Sequence, residues 1–160
     1  PGGGQIYTST DSGLTWLPQG STLSWQSVAS SADGSKLVAV ADQIYTSTDS
    51  GATWVGRDTS RAWNSVASSA DGTKLVASVN GGQIYTSADS GVTWTARDSA
   101  RSWRSVASSA DGGKLVGATS GPIYTWTGTV IGGEQFSTIE LVYAGAGQWI
   151  VVNQQGITLR

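Results

Sequence analysis

The stretch QIYTSTDSGATW, from Gln43 to Trp54, decides the fold. Its opening residues are β-branched and aromatic, the composition of a strand. It then turns through Ser-x-Asp-x-Gly-x-Thr-Trp. Asp49 can accept backbone N–H bonds across its own turn, Gly51 supplies a permissive backbone, and Trp54 can fold underneath. The same stretch begins at Gln5 and, as QIYTSADSG, at Gln83, so the repeat spacings are 38 and 40 residues. A second block, W-x-S-V-A-S-S-A-D-G-x-K-L-V, begins at Trp25, Trp63 and Trp103 with the same spacings.

Working outward, each unit reads as four short strands: 25–30, 36–41, 43–48 and 53–56 in the first full copy. No stretch has helical character. The first hairpin of each unit turns at Asp33-Gly34, Asp71-Gly72 and Asp111-Gly112, where glycine accepts the positive φ of a tight turn. Units of about 40 residues with four strands apiece predict an all-β fold of β-propeller blades, with a β-solenoid as the alternative.

The turns STDSGLTW (9–16), STDSGATW (47–54) and SADSGVTW (87–94) spell the Asp-box. On these three copies the chain resembles the Asp-box, or bacterial neuraminidase repeat, propellers, a group that includes sialidases and the photosystem II stability and assembly factor family. The resemblance implies a structural box at Asp11, Gly13, Trp16, Asp49, Gly51, Trp54, Asp89, Gly91 and Trp94, not a catalytic one. Burying each box Trp is worth about 2–3 kcal/mol, and losing a carboxylate that satisfies buried amides costs about 1–3 kcal/mol. Either is large against a total stability of about 5–15 kcal/mol.

Blades are expected at 25–57, 63–97 and 103–131, within a single domain spanning 1–160. The chain opens with a half-blade at 2–18, and the box pattern decays after Ile123-Tyr124-Thr125. The segment 135–160 reads as a closing hairpin with one more short strand at 156–159. Together the two ends predict a fourth blade that closes one small ring. Since relatives by resemblance close with six or more blades, the alternatives are closure by oligomerisation, as a dimer or polymer through the terminal half-blades, and a fragment of a longer protein.

Only 12% of residues are charged, and 9 Lys and Arg face 11 Asp and Glu, for a net charge of −2. There is no basic stripe for a phosphate backbone, so nucleic acid is not an expected partner. The chain contains no Cys, His or Met, which removes thiolates, disulfides, imidazole bases and soft metal ligands. No cofactor or metal is predicted, and isolated Asp-Gly turns fall short of the roughly 6–8 oxygens that calcium prefers. No apolar run approaches the ~18 residues of a membrane-spanning helix. The chain begins with Pro1, which leads to the expectation of a processed, exported protein, extracellular or at the cell surface.

A sialidase needs an arginine cluster, a tyrosine nucleophile with a glutamate partner, and an acidic proton donor. Glu134 and Glu140 are the only glutamates, and four tyrosines, Tyr7, Tyr45, Tyr85 and Tyr124, share one repeat position where packing explains them. The chain is therefore not expected to be an enzyme. The candidate ligand site is the loop Arg-Asp-x-x-Arg-x-Trp, at Arg57, Asp58, Arg61 and Trp63 and again at Arg97, Asp98, Arg101 and Trp103. Arg offers forked hydrogen bonds there and Trp a stacking surface for a carbohydrate or protein ligand. The competing reading is that the charges bond each other and the tryptophans are core. Trp126 and Trp149 fall outside the repeated positions and are candidates for specialised contacts. The expected function is a non-catalytic structural, assembly or protein-interaction module, with a lectin-like carbohydrate binder as the alternative and a sialidase-like hydrolase last.

Overall fold

The structure, a computed structural model, describes residues 3–121, 123–126, 138–145 and 148–155. Every regular element among them is a β-strand. The N-terminal half-unit gives β1 (Gly4–Thr8) and β2 (Leu17–Leu23), paired antiparallel on either side of the first box. The first full unit follows as β3 (Ser27–Ser30), β4 (Leu37–Val40), β5 (Ile44–Ser47) and β6 (Val55–Arg57). These form a four-stranded antiparallel sheet in chain order, as the repeat predicts.

Local chemistry sets the β3–β4 turn. The Ser31 hydroxyl donates to Asp33 and accepts the Lys36 N–H at 3.0 Å, while Asp33 accepts the Ser35 N–H at 3.0 Å. Gly34 carries the left-handed residue of this turn at φ 71°. Ser69, Asp71 and Lys74 repeat the pattern in the second unit, and Ser109, Asp111 and Lys114 in the third.

In the next two units the strands run on into one another. β7 (Trp63–Ser68), β8 (Leu75–Ser87), β9 (Thr95–Ser108), β10 (Leu115–Thr119) and β11 (Ile123–Trp126) form one five-stranded sheet in the order β11-β10-β9-β8-β7. The reason is length. Three residues separate Val40 from Ile44 in the first unit, whereas five separate the equivalent Ser78 and Ile84 in the second. The longer link carries Asn80 and Gly82 into register with Ser102 and Arg101, so the connection between units becomes part of the ladder.

Consecutive units stack through a ladder of like contacts. Ala32 donates its N–H to the Ala70 carbonyl and Ala70 to Ala110, both at 2.7 Å. Lys36 Nζ reaches the Asp71 carbonyl at 3.1 Å, and Lys74 Nζ reaches that of Asp111 at 2.8 Å. The hydrophobic core lies at the first of these joints, where Val38, Val40 and Ile44 meet Trp63, Val66, Leu75 and Ala77. Burying each large aliphatic side chain there contributes about 1.5–3 kcal/mol.

At the C-terminal end, β12 (Thr138–Gly145) and β13 (Gln148–Gln155) form an antiparallel hairpin, in agreement with the strands read at 136–143 and 148–153. The hairpin and the N-terminal half-unit, read together as a fourth blade, stand as separate two-stranded sheets, β12–β13 and β1–β2, among the described residues. The short strand read at 156–159 and the end of the third blade at 127–131 lie outside the described residues, as do Glu134 and the side chains of Glu140, Trp126 and Trp149.

Candidate functional site

The boxes are fasteners, as their composition implies. In the second, the Ser47 hydroxyl donates to Asp49 at 2.7 Å and accepts the Gly51 N–H at 2.9 Å. Asp49 then accepts the Thr53 N–H at 2.9 Å and the Thr53 hydroxyl at 2.6 Å. The first and third boxes repeat this around Asp11 and Asp89. The threonine hydroxyl, its backbone N–H and the serine hydroxyl together hold each of these carboxyls down at about 2. They are fixed anions engaged with their own turns, the reverse of a catalytic proton donor. Each full unit pins its box to its own first turn, through Ser50 N–H to the Ser35 carbonyl and Ser90 N–H to the Thr73 carbonyl, both at 2.9 Å.

The tryptophans behave differently along the chain. Trp54 tilts against Trp25 with ring centroids 6.0 Å apart, and Trp94 against Trp63 at 6.3 Å. Trp16, expected to be buried with them, is 59% exposed.

The Arg-Asp-x-x-Arg loops turn inward. Arg61 pairs with Asp58 at 3.7 Å and Arg101 with Asp98 at 3.4 Å. Arg61 also lies 4.8 Å over the Tyr85 ring. Arg57 and Arg97 leave these pairs and donate through Nε to Thr46 and Thr86, each at 3.0 Å. Trp63 and Trp103 are 2% and 0% exposed, which corrects their assignment as a stacking surface: no ligand reaches rings packed between units. Trp63 instead meets Tyr85 edge-on at 5.0 Å. The competing structural reading of these loops is the one the geometry supports.

A concave site does exist, at a place the motif search passed over. Between the second unit's Thr86, Ser87 and Arg97 and the third unit's Ser108, Gly113 and Leu115 lies a groove of about 480 Å³. At the preceding joint the equivalent Thr46, Ser47, Ser68 and Leu75 enclose only about 10 Å³, because Ser90 of the third box stands there. The Gly91 backbone beside it is so close that an added Cβ would lie 2.7 Å from Thr46 Cγ2. After Ile123-Tyr124-Thr125 the sequence continues Trp126-Thr127-Gly128 and supplies no box to the third unit. Among the described residues Gly113, the counterpart of Ser35 and Thr73, meets no box serine. The signal in the sequence was this missing fourth box, an absence that a search for motifs does not flag.

No protein-family model matches the chain, and no curated protein matches it. Among solved structures it is similar to a GH74 enzyme of Niastella koreensis, at 28% identity and a TM-score of 0.54 over 70% of this chain and 17% of that one. It is also similar to YCF48 solved with a D1 peptide, at 18% identity and a TM-score of 0.58, covering 69% of this chain and 40% of that one. A third likeness is to the GH74 xyloglucanase of Xanthomonas campestris, at 18% identity and a TM-score of 0.54. These are β-propeller folds. The chain is an all-β protein of propeller type. It spans well under half the length of each of these propeller proteins.

Proposed function

We propose that this propeller-type chain is a non-catalytic protein-interaction module, and that its groove between the second and third units receives a polar turn of a partner polypeptide. The observation that carries this reading is the equivalence of the two joints: a Ser-Gly turn fills one, and among the described residues none fills the other. At the filled joint the turn offers a backbone N–H to a carbonyl and sets a glycine against a threonine methyl. Gly113, Thr86 and Leu115 present the same acceptor, methyl and apolar wall in the groove. A peptide turn satisfies all three, which is the economy of a site that is largely pre-formed. YCF48, solved with a bound D1 peptide, supports peptide recognition on a related architecture.

A carbohydrate reading is second. It draws on the hydroxyls of Thr86, Ser87 and Ser108, the Arg97 and Lys74 cations in the groove wall, and the likeness to GH74 enzymes. The deciding experiment is selection of displayed turn peptides on the wild-type chain and on Ser108→Trp, which fills the groove from β9. Peptides retained by the first and lost at least tenfold by the second support the proposal. A selection with no groove-dependent peptide, together with groove-dependent hits on a glycan array, overturns it in favour of the carbohydrate reading.

A further inference from the structure

We infer that Asn80 is a site of spontaneous covalent modification: the Gly81 amide nitrogen closes on its carboxamide, and water opens the resulting succinimide to aspartate and isoaspartate. The chain has asparagine at 64, 80 and 153, and Asn80 is the one followed by glycine. It lies in the lengthened link of the second unit, on β8, and the inference is independent of the groove. Without a Cβ, glycine leaves its amide nitrogen open to the neighbouring side chain and its backbone free to swing toward it.

The fold presents these two residues for that reaction. Asn80 pairs with Ser102 and Gly82 with Arg101, so Gly81 is the inserted residue of a bulge and has no partner in the ladder. It stands at φ 72°, and a Cβ there would meet nothing within 4 Å, so the inserted residue faces open space. Asn80 is exposed, and among the described residues no group holds its carboxamide. Asn64 shows the contrast. Its Nδ2 donates to the Trp103 carbonyl at 2.7 Å, its Oδ1 accepts the Ser78 hydroxyl at 2.8 Å, and Ser65 follows it in the chain. Asp33, Asp71 and Asp111 also precede glycines, but each carboxylate is bonded to a serine hydroxyl and to a backbone N–H of its own turn.

The reaction needs water and no other reagent. A bond forms between the Gly81 nitrogen and Asn80 Cγ, the Cγ–Nδ2 bond breaks, and the amide proton leaves with Nδ2 as ammonia. Water then adds at one imide carbonyl to give aspartate or at the other to give isoaspartate, in which the main chain runs through the former side chain. Either product places a carboxylate where the chain had a neutral amide. The Asn80 N–H donates to the Ala62 carbonyl at 2.9 Å and its ladder partner is Ser102. The new charge therefore arises beside the residues that follow Arg61 and Arg101. Those arginines pair with Asp58 and Asp98 at 3.7 and 3.4 Å, and another carboxylate competes for them. Isoaspartate also lengthens the backbone at the bulge through which the second and third units share one sheet.

The test is incubation of the folded, full chain in mildly alkaline buffer, followed by tryptic digestion and mass spectrometry. Cleavage after Lys74 and Arg97 isolates Asn80 in the peptide 75–97, and cleavage after Arg61 and Lys74 isolates Asn64 in 62–74. The expected result is a gain of about 1 Da in 75–97, at a rate at least tenfold above that in 62–74. The product should separate into two species, one of them a substrate for protein isoaspartyl methyltransferase. Asn80→Gln, which would have to close a larger ring, should suppress the gain at least tenfold with the far-ultraviolet dichroism unchanged. No gain in 75–97 from the folded chain overturns the inference, whether or not the urea-unfolded chain converts. So does equal conversion of Asn64, or a gain without isoaspartate, which would mean direct hydrolysis with no succinimide.

Discussion

Val106 gives its backbone N–H to the Ser65 hydroxyl at 3.1 Å, from one repeat to the next and 41 residues apart in the chain. Val66 and Ser27 make the same bond at 3.2 Å in the preceding joint. A serine at the third position of Trp-x-Ser-Val thus serves the following unit, not its own. Ser65 is buried, so Ser65→Ala leaves the Val106 amide without an acceptor and should cost about 1–3 kcal/mol. Urea unfolding followed by tryptophan fluorescence reads this as a lower midpoint at unchanged slope. Ser27, part-exposed at the open end, should cost less. Equal costs would mean that the hydroxyl is not what couples the units.

Buried and exposed tryptophans should separate by location. Trp63 lies in the core against Tyr85 and Trp94, and Trp63→Ala should cost about 3–5 kcal/mol, a large fraction of a total stability of about 5–15 kcal/mol. Trp16→Ala, at an exposed ring whose Nε1 donates only to the Gly13 carbonyl of its own box at 3.1 Å, should cost under about 1 kcal/mol in a single chain. A Trp16 effect as large as that of Trp63 in dilute solution would show that its face is covered.

Gly34 and Gly72 occupy the same turn at φ 71° and 68°. A Cβ on Gly34 meets nothing within 4 Å, whereas one on Gly72 would lie 2.9 Å from Lys36 Cβ and 3.2 Å from Ser31 Cβ of the unit before. Gly34→Ala should show only the left-handed backbone penalty of about 1–2 kcal/mol. Gly72→Ala adds overpacking of about 1–3 kcal/mol. Thermal midpoints of the two variants measure the stacking contact directly, because backbone strain cancels between them.

Strand positions, hairpin turns and the box were legible because each rests on local chemistry: Asp33 beside Gly34, Asp49 reaching Thr53, β-branched residues between them. The sheet formed jointly by the second and third units was not, since it depends on two added residues near Asn80 finding Ser102 and Arg101 some twenty positions away. The Arg-Asp-x-x-Arg loops drew attention through their charge, yet charge in a repeated connection is most cheaply satisfied within it, as Arg101 and Asp98 show. The groove escaped because an empty place is defined by what fills its equivalent. Ser90 stands beside Thr46, and only against that does the lack of a box serine beside Thr86 among the described residues have meaning.

Acid should loosen this fold in a narrow window. The carboxyls of Asp11, Asp49 and Asp89 are held at about 2 by their threonine and serine partners, and Asp33 is held at about 2 by Ser31 and Ser35. In the unfolded chain the same groups titrate near ~3.9. Between those values the unfolded chain binds more protons, so stability rises with pH there. The contribution is fully present above about pH 4 and is lost as pH falls through about 2. Urea midpoints measured from pH 2 to pH 6 should therefore be flat above pH 4 and fall steeply below it. Asp49→Asn removes one titrating group and most of one box. It should lower the plateau and reduce the slope of the acid limb, because one fewer proton is taken up on unfolding. An unchanged slope would mean that Asp49 keeps its ordinary affinity for protons in the fold, and that the Thr53 bonds at 2.6 and 2.9 Å do not stabilise the charged carboxylate.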